Sequence, residues 1–119
     1  MPRYVDGYLI PVSLERVEDY RQLARQAEAI WREHGALDYW ECEGEDLATE
    51  GLASMRDAAG AGPGDTVIFS WIVFESRAHR DRVNAAVMAD PRIQSLDVEH
   101  MPFDCRRMAY GGFVPIVPA

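Results

Sequence analysis

Asp6 stands inside the apolar run "YVDGYLIPV", where a carboxylate is costly to bury unless an arginine or several donors serve it. Arg107 is the first expected partner, because it falls on what reads as the neighbouring last strand, and Arg56 is the second. A structural ion pair is preferred over catalysis, although such a pair can also orient a bound polar ligand. Ser70 interrupts the apolar run of "TVIFSWIVF", and Tyr110 and His34 complete the candidate ligand-binding set of Asp6, Ser70, Arg107, Tyr110 and His34.

The remaining reactive side chains suggest no chemistry. His34, His79 and His100 lack the close spacing of metal ligands, so no metal is expected. His34 is accounted for by a helix C-terminus, His79 by a solvated helix face and His100 by a loop. Cys42 and Cys105 form no C-x-x-C and sit in no nucleophile motif, so they read as reduced, partly buried thiols. "GAGPG" lacks the Lys-Ser/Thr of a phosphate-binding loop and reads as a flexible turn. No cofactor is implied, and no catalytic residue is singled out.

Composition narrows the partners. The chain has 119 residues, enough for one domain spanning 1–119, with a net charge of −8 and no lysine. That field repels phosphate backbones and anionic membrane surfaces, so nucleic acid and membrane are disfavoured. No apolar run reaches the length of a membrane span and no signal peptide is visible, so the expected location is cytoplasmic.

The elements that must position these residues follow a βαββαβ order. Residues 3–12 read as a strand, and Ser13 as the N-cap of a helix carrying Val17, Tyr20, Ala24, Ala27 and Trp31 to a left-handed cap at Gly35. Residues 36–43 read as a charged edge strand and 66–74 as a central one. Between them, part of "LASMRDAA" is expected to be ordered as an irregular strand extension, before a mobile Gly-Pro-Gly end. Ser76 caps a second helix burying Val83, Ala86 and Val87, Asp90-Pro91 opens a short extra turn, and residues 105–117 read as the last strand. The order predicts a ferredoxin-like α+β fold: a four-stranded sheet ordered 4-1-3-2, both helices on one face, and strands 1 and 3 central and parallel. Arg106 and Arg107 would point to opposite faces of strand 4, Phe103 would plug a sheet edge, and Gly111-Gly112 would permit a bulge or close approach.

The segments "YVDGYLIPV", "ECEGED", "FSWIVFESRAHRD", "MADPR" and "MPFDCRRMAYGGF" together resemble the YbaA-like family of bacterial proteins of unknown function (domain of unknown function 1428). The resemblance runs from Tyr4 to about Phe113, with a poor match over 47–64. It implies a dimeric α/β barrel, a fold shared with small monooxygenases and haem-degrading enzymes, and it supplies no activity. The sequence supports homodimerisation independently: two helices cover one sheet face, and a second copy would cover the other, which is also apolar. Two functions stay open. One is a homodimeric ligand-binding or structural module, with a small pocket near Asp6, Ser70 and Arg107. The other is a cofactor-independent, monooxygenase-like enzyme acting on a small organic molecule.

Overall fold

In the computed structural model, which describes residues 2–118, four strands form one sheet in the order β2-β3-β1-β4. They are β1 (Tyr4–Ser13), β2 (Asp38–Glu43), β3 (Asp65–Phe74) and β4 (Ala109–Phe113). The helices are α1 (Val17–Glu33), the short α2 (Met55–Ala59), α3 (Arg77–Met88) and α4 (Pro91–Gln94). The α+β class and the 4-1-3-2 order match the expectation. The central pair does not, because β1 and β3 are antiparallel, from Tyr4 opposite Phe74 to Ser13 opposite Asp65. The parallel relation belongs to β1 and β2, each antiparallel to β3, which returns between them.

Alternation along the strands separates two faces. Tyr4, Ile10 and Val12 of β1, with Ile68, Ile72 and Phe74 of β3, are buried beneath α1 and α3. Val5, Gly7, Leu9, Phe69 and Trp71 point the other way. There Ala109, Gly111 and Phe113 join them around an open concavity of about 680 Å³. Trp40 stacks on Trp71 at 5.9 Å on this face and is 52% exposed. One end of the face is covered from within, because α2 packs against β1 and β3 where Pro11 and Val67 are buried.

Several local expectations change. Ser13 makes no side-chain cap, and a 3-10 turn, Leu14–Arg16, precedes α1. Ser76 and Asp90 do cap, accepting from His79 N and Arg92 N. "LASMRDAA" yields helix rather than strand: Ser54 caps α2 and Gly60, at φ 70°, ends it in the left-handed region. The Gly-Pro-Gly end is pinned, since Arg56 donates to the carbonyls of Gly62 and Asp65 at 2.7 Å each. Cys105–Arg107 form a 3-10 turn capped by Asp104, so strand 4 starts only at Ala109 and the two arginines lie on no strand face. Phe103 packs edge-on against Tyr20 at 5.6 Å, closing the core beside α1 rather than plugging a sheet edge. The Gly111-Gly112 pair makes no bulge, and the β1–β4 register runs unbroken. Phe113 lies over Gly7 and Gly111, while Gly112 faces the Tyr4 ring of its own chain. Cys42 and Cys105 are free, Cys105 being exposed rather than partly buried.

Candidate functional site

Three polar clusters sit around the helical face. The first surrounds Asp6, which is 0% exposed. Its Oδ1 accepts from Arg80 Nη1 at 3.0 Å and its Oδ2 from Asn84 Nδ2 at 3.2 Å, both from α3. The same Arg80 nitrogen donates to the Tyr110 hydroxyl at 2.5 Å, and the guanidinium lies 4.8 Å from the Tyr4 ring centroid. Asn84 Oδ1 accepts from Trp31 Nε1 at 3.1 Å, tying α1 into the network. Arg80 Nε lies 2.8 Å from Asp81 Oδ1, but the angle is too poor for a hydrogen bond. Burial pushes the Asp6 carboxyl up, opposed by the Asn84 hydrogen bond and the Arg80 charge. With both oxygens served from α3, Asp6 fastens helix to sheet.

Arg107, the expected partner, is elsewhere: its Nη2 donates to Gly60 O at 2.8 Å and to Asp65 Oδ2 at 3.1 Å. Strand 4 begins only at Ala109, so Arg107 lies in the turn before it and is not carried alongside Asp6. Arg56 is likewise engaged with backbone carbonyls. His34 belongs to a second cluster outside the sheet. Its Nε2 lies 2.9 Å from Asp90 Oδ2, which also accepts from Arg92 at 2.8 Å, and Arg92 reaches Glu33. Hydrogen bonds from Arg92 and then His34 hold the Asp90 carboxyl below the usual range. Of the five candidates, only Asp6 and Tyr110 come together.

Ser70 leads to the third cluster. It is buried on β3 and lines a cavity of about 150 Å³ between α1 and the sheet, with Tyr8, Ile10, Ala27, Trp31 and Ile72. The polar end of the cavity is Glu41 of β2. Its Oε1 accepts from the Tyr20 hydroxyl at 2.6 Å and its Oε2 from the Tyr39 hydroxyl at 2.7 Å. Burial, then the Glu41 charge, raises both phenols above their ordinary value of 10.0. Burial, then Asp6, does the same to Tyr8. All three stay protonated at neutral pH, and Tyr20 and Tyr39 act as donors to Glu41. Among the described residues, no group of three or more His, Cys, Asp or Glu side chains is placed to hold a metal ion.

The sequence carried a signal for the side chains first missed. Residues 80, 83, 84 and 87 follow the i, i+3, i+4, i+7 spacing of one helix face, so Arg80 and Asn84 share the stripe of Val83 and Val87. On β2, Tyr39 and Glu41 alternate with Trp40 and Cys42, which sends them inward together.

The fold and its helix-covered sheet define a class, the ferredoxin-like α+β proteins. Two solved structures share the architecture. An uncharacterized NIPSNAP domain protein from Burkholderia xenovorans superposes with a TM-score of 0.59 at 14% identity, covering 98% of this chain and 97% of that one. A NIPSNAP-like domain protein from the same organism gives 0.55 at 18% identity, covering 98% and 88%. Within that class, the chain belongs to the family described as "Protein of unknown function (DUF1428)", whose model matches residues 3–105. The "Uncharacterized protein YbaA" of Escherichia coli K12 is 38% identical over 115 residues, covering 97% of each chain, and that of Shigella flexneri matches equally.

Proposed function

We propose that the protein is a homodimeric small-molecule-binding module, its ligand held in the cavity between α1 and the sheet. The observation that carries the ligand reading is Glu41: a partly buried carboxylate, served among the described residues by two tyrosine hydroxyls alone, at the end of an otherwise largely apolar space. Cavities of this kind, mostly apolar with a few convergent polar groups, suit small organic ligands. The Tyr20 and Tyr39 phenols, pushed up by burial and then by the Glu41 charge, stay protonated and hold the carboxylate in place as donors.

The dimer reading rests on the opposite face of the sheet. Phe69 is 45% exposed and Phe113 60%, and both border the same concavity as Leu9 and Trp71. An apolar face of this extent favours burial against another sheet at about 10 Å separation. A twofold arrangement makes one self-complementary patch sufficient and would bury on the order of 1,000 Å² or more. Sedimentation at micromolar concentration tests the dimer, which is expected at twice the 13.4 kDa chain mass. Trp71→Glu is expected to yield a folded monomer. A wild-type monomer would refute the sheet-face pairing. Thermal-shift titration with small aromatic compounds tests the cavity separately, and no stabilisation by any of them would refute the ligand reading.

A further inference from the structure

We propose that Glu41 is the recognition group for a small ligand carrying a protonated amine, with the apolar body of the ligand in the inner cavity. The inference rests on the ligand reading above and adds the charge of the ligand and its way in.

Three observations support it. First, Glu41 has a charge without a counter-charge. Among the described residues no cation forms a salt bridge with it: of the arginines lining the adjoining groove, Arg32 pairs with Glu28 and Asp38, Arg21 pairs with Glu18, and Arg25 comes within salt-bridge distance of no carboxylate. A carboxylate served by uncharged donors alone gains more from an ammonium than from a third hydroxyl, because the ammonium adds the attraction between opposite unit charges to the hydrogen bond.

Second, the same residues line two spaces. An outer groove of about 390 Å³ runs between α1 and the β2 edge, and Tyr20, Ala24, Tyr39 and Glu41 line both it and the inner cavity. The Tyr20–Glu41–Tyr39 bridge is therefore the partition between solvent and interior. A ligand entering from the groove meets Glu41 first, and its ammonium can replace one tyrosine hydroxyl at a carboxylate oxygen. The groove carries Arg21, Arg25 and Arg32 beside Glu28, Glu41 and Glu43, so its mouth is close to charge-balanced and selection for the amine rests on Glu41 itself.

Third, size limits the ligand. A buried apolar cavity of roughly 150 Å³ accommodates a molecule the size of benzene. The inner space matches that volume and is walled mainly by Ile10, Ala27, Trp31 and Ile72. A single ring or a short branched alkyl group fills it, leaving the amine at Glu41.

Calorimetric titration with benzylamine, benzyl alcohol and benzoate tests the assignment. Benzylamine is expected to bind about tenfold more tightly than benzyl alcohol, from the added attraction between opposite charges; benzoate is expected not to bind. Glu41→Gln should bring benzylamine down to the level of benzyl alcohol. Tyr39→Phe, which frees Oε2 without removing the charge, should preserve or tighten benzylamine binding, and it remains informative if Glu41→Gln fails to fold. Equal affinity for amine and alcohol in the wild type would overturn the proposal while leaving the cavity as a ligand site. Amine binding that survives Glu41→Gln, or is lost in folded Tyr39→Phe, would also overturn it. Binding of neither benzylamine nor benzyl alcohol would overturn both readings.

Discussion

Replacing Asp6 with alanine is the sharpest test of how the sheet and α3 are joined. The substitution leaves Arg80 without its carboxylate, and the Arg80 side chain is only 13% exposed. Removing one member of a buried pair costs about 3–5 kcal/mol. The partial exposure of Arg80 and its neighbour Asp81 place the loss near the lower bound, about 3 kcal/mol. The orphaned Asn84 amide adds about 1 kcal/mol. An unfolding entropy of about 2.1 cal/mol/K per residue, over 119 residues, gives about 4 °C per kcal/mol. Asp6→Ala should therefore lower the Tm by about 12–16 °C, measured by scanning calorimetry at one fixed protein concentration. Asp6→Leu combined with Arg80→Met should recover most of that loss, because an apolar pair replaces the ionic one without leaving a bare charge. Arg107→Ala, which touches neither residue, should move the Tm by only a small fraction of this. A fall of less than about 3 °C for Asp6→Ala, or an equal fall for Arg107→Ala, would refute the assigned pairing.

Gly112→Ala should destabilise the fold of each chain, because a Cβ there would come within 2.6 Å of Tyr4 Cε2 and Tyr4 is buried. Urea unfolding should show a reduced midpoint with little change in slope. Asp90→Asn should change the acid limb of the stability curve. The Asp90 carboxyl is held below its ordinary 3.8 in the fold, so its contribution is present above that pH and lost as pH falls through the depressed value. Asparagine keeps the helix cap without titrating, so the variant should start less stable near neutrality and lose less on acidification below about pH 4.

The sequence was most legible where side-chain period and local capping agree. The stripe through Tyr20, Ala24, Ala27 and Trp31, the doubly apolar strand around Ile68–Phe74, and the Ser76 and Asp90 caps all follow from neighbours within one turn or one strand. The partner of Asp6 was not legible from strand adjacency alone, since the choice between Arg80 and Arg107 depends on where strand 4 begins. Asp104 settles that by capping a 3-10 turn at Cys105–Arg107. Glu41 was obscured for another reason. On a charged edge strand a glutamate reads as solvated; alternation with Trp40 puts it on the inner face, but its engagement there depends on Tyr20, which donates to it from α1. The region 44–65 yielded helix α2 instead of strand because Ser54 and Gly60 supply both of its ends.

The pairing of β1 with β4 carries a consequence for how the chain is made. Of the four strands β1 is synthesised before the others, yet one of its two ladders waits for β4, with Asp6 opposite Gly112. Until Ala109 to Phe113 leave the ribosome, any sheet assembled from β1, β2 and β3 has an open backbone edge along β1. Tyr8 and Leu9 lie on that edge, and their N–H and C=O groups can template another chain. The long loop that must close adds little to equilibrium stability but delays completion of the sheet. Nascent chains stalled or truncated before Ala109 should therefore be far more aggregation-prone than the finished protein, a vulnerability located at the N-terminal strand although the missing residues are C-terminal.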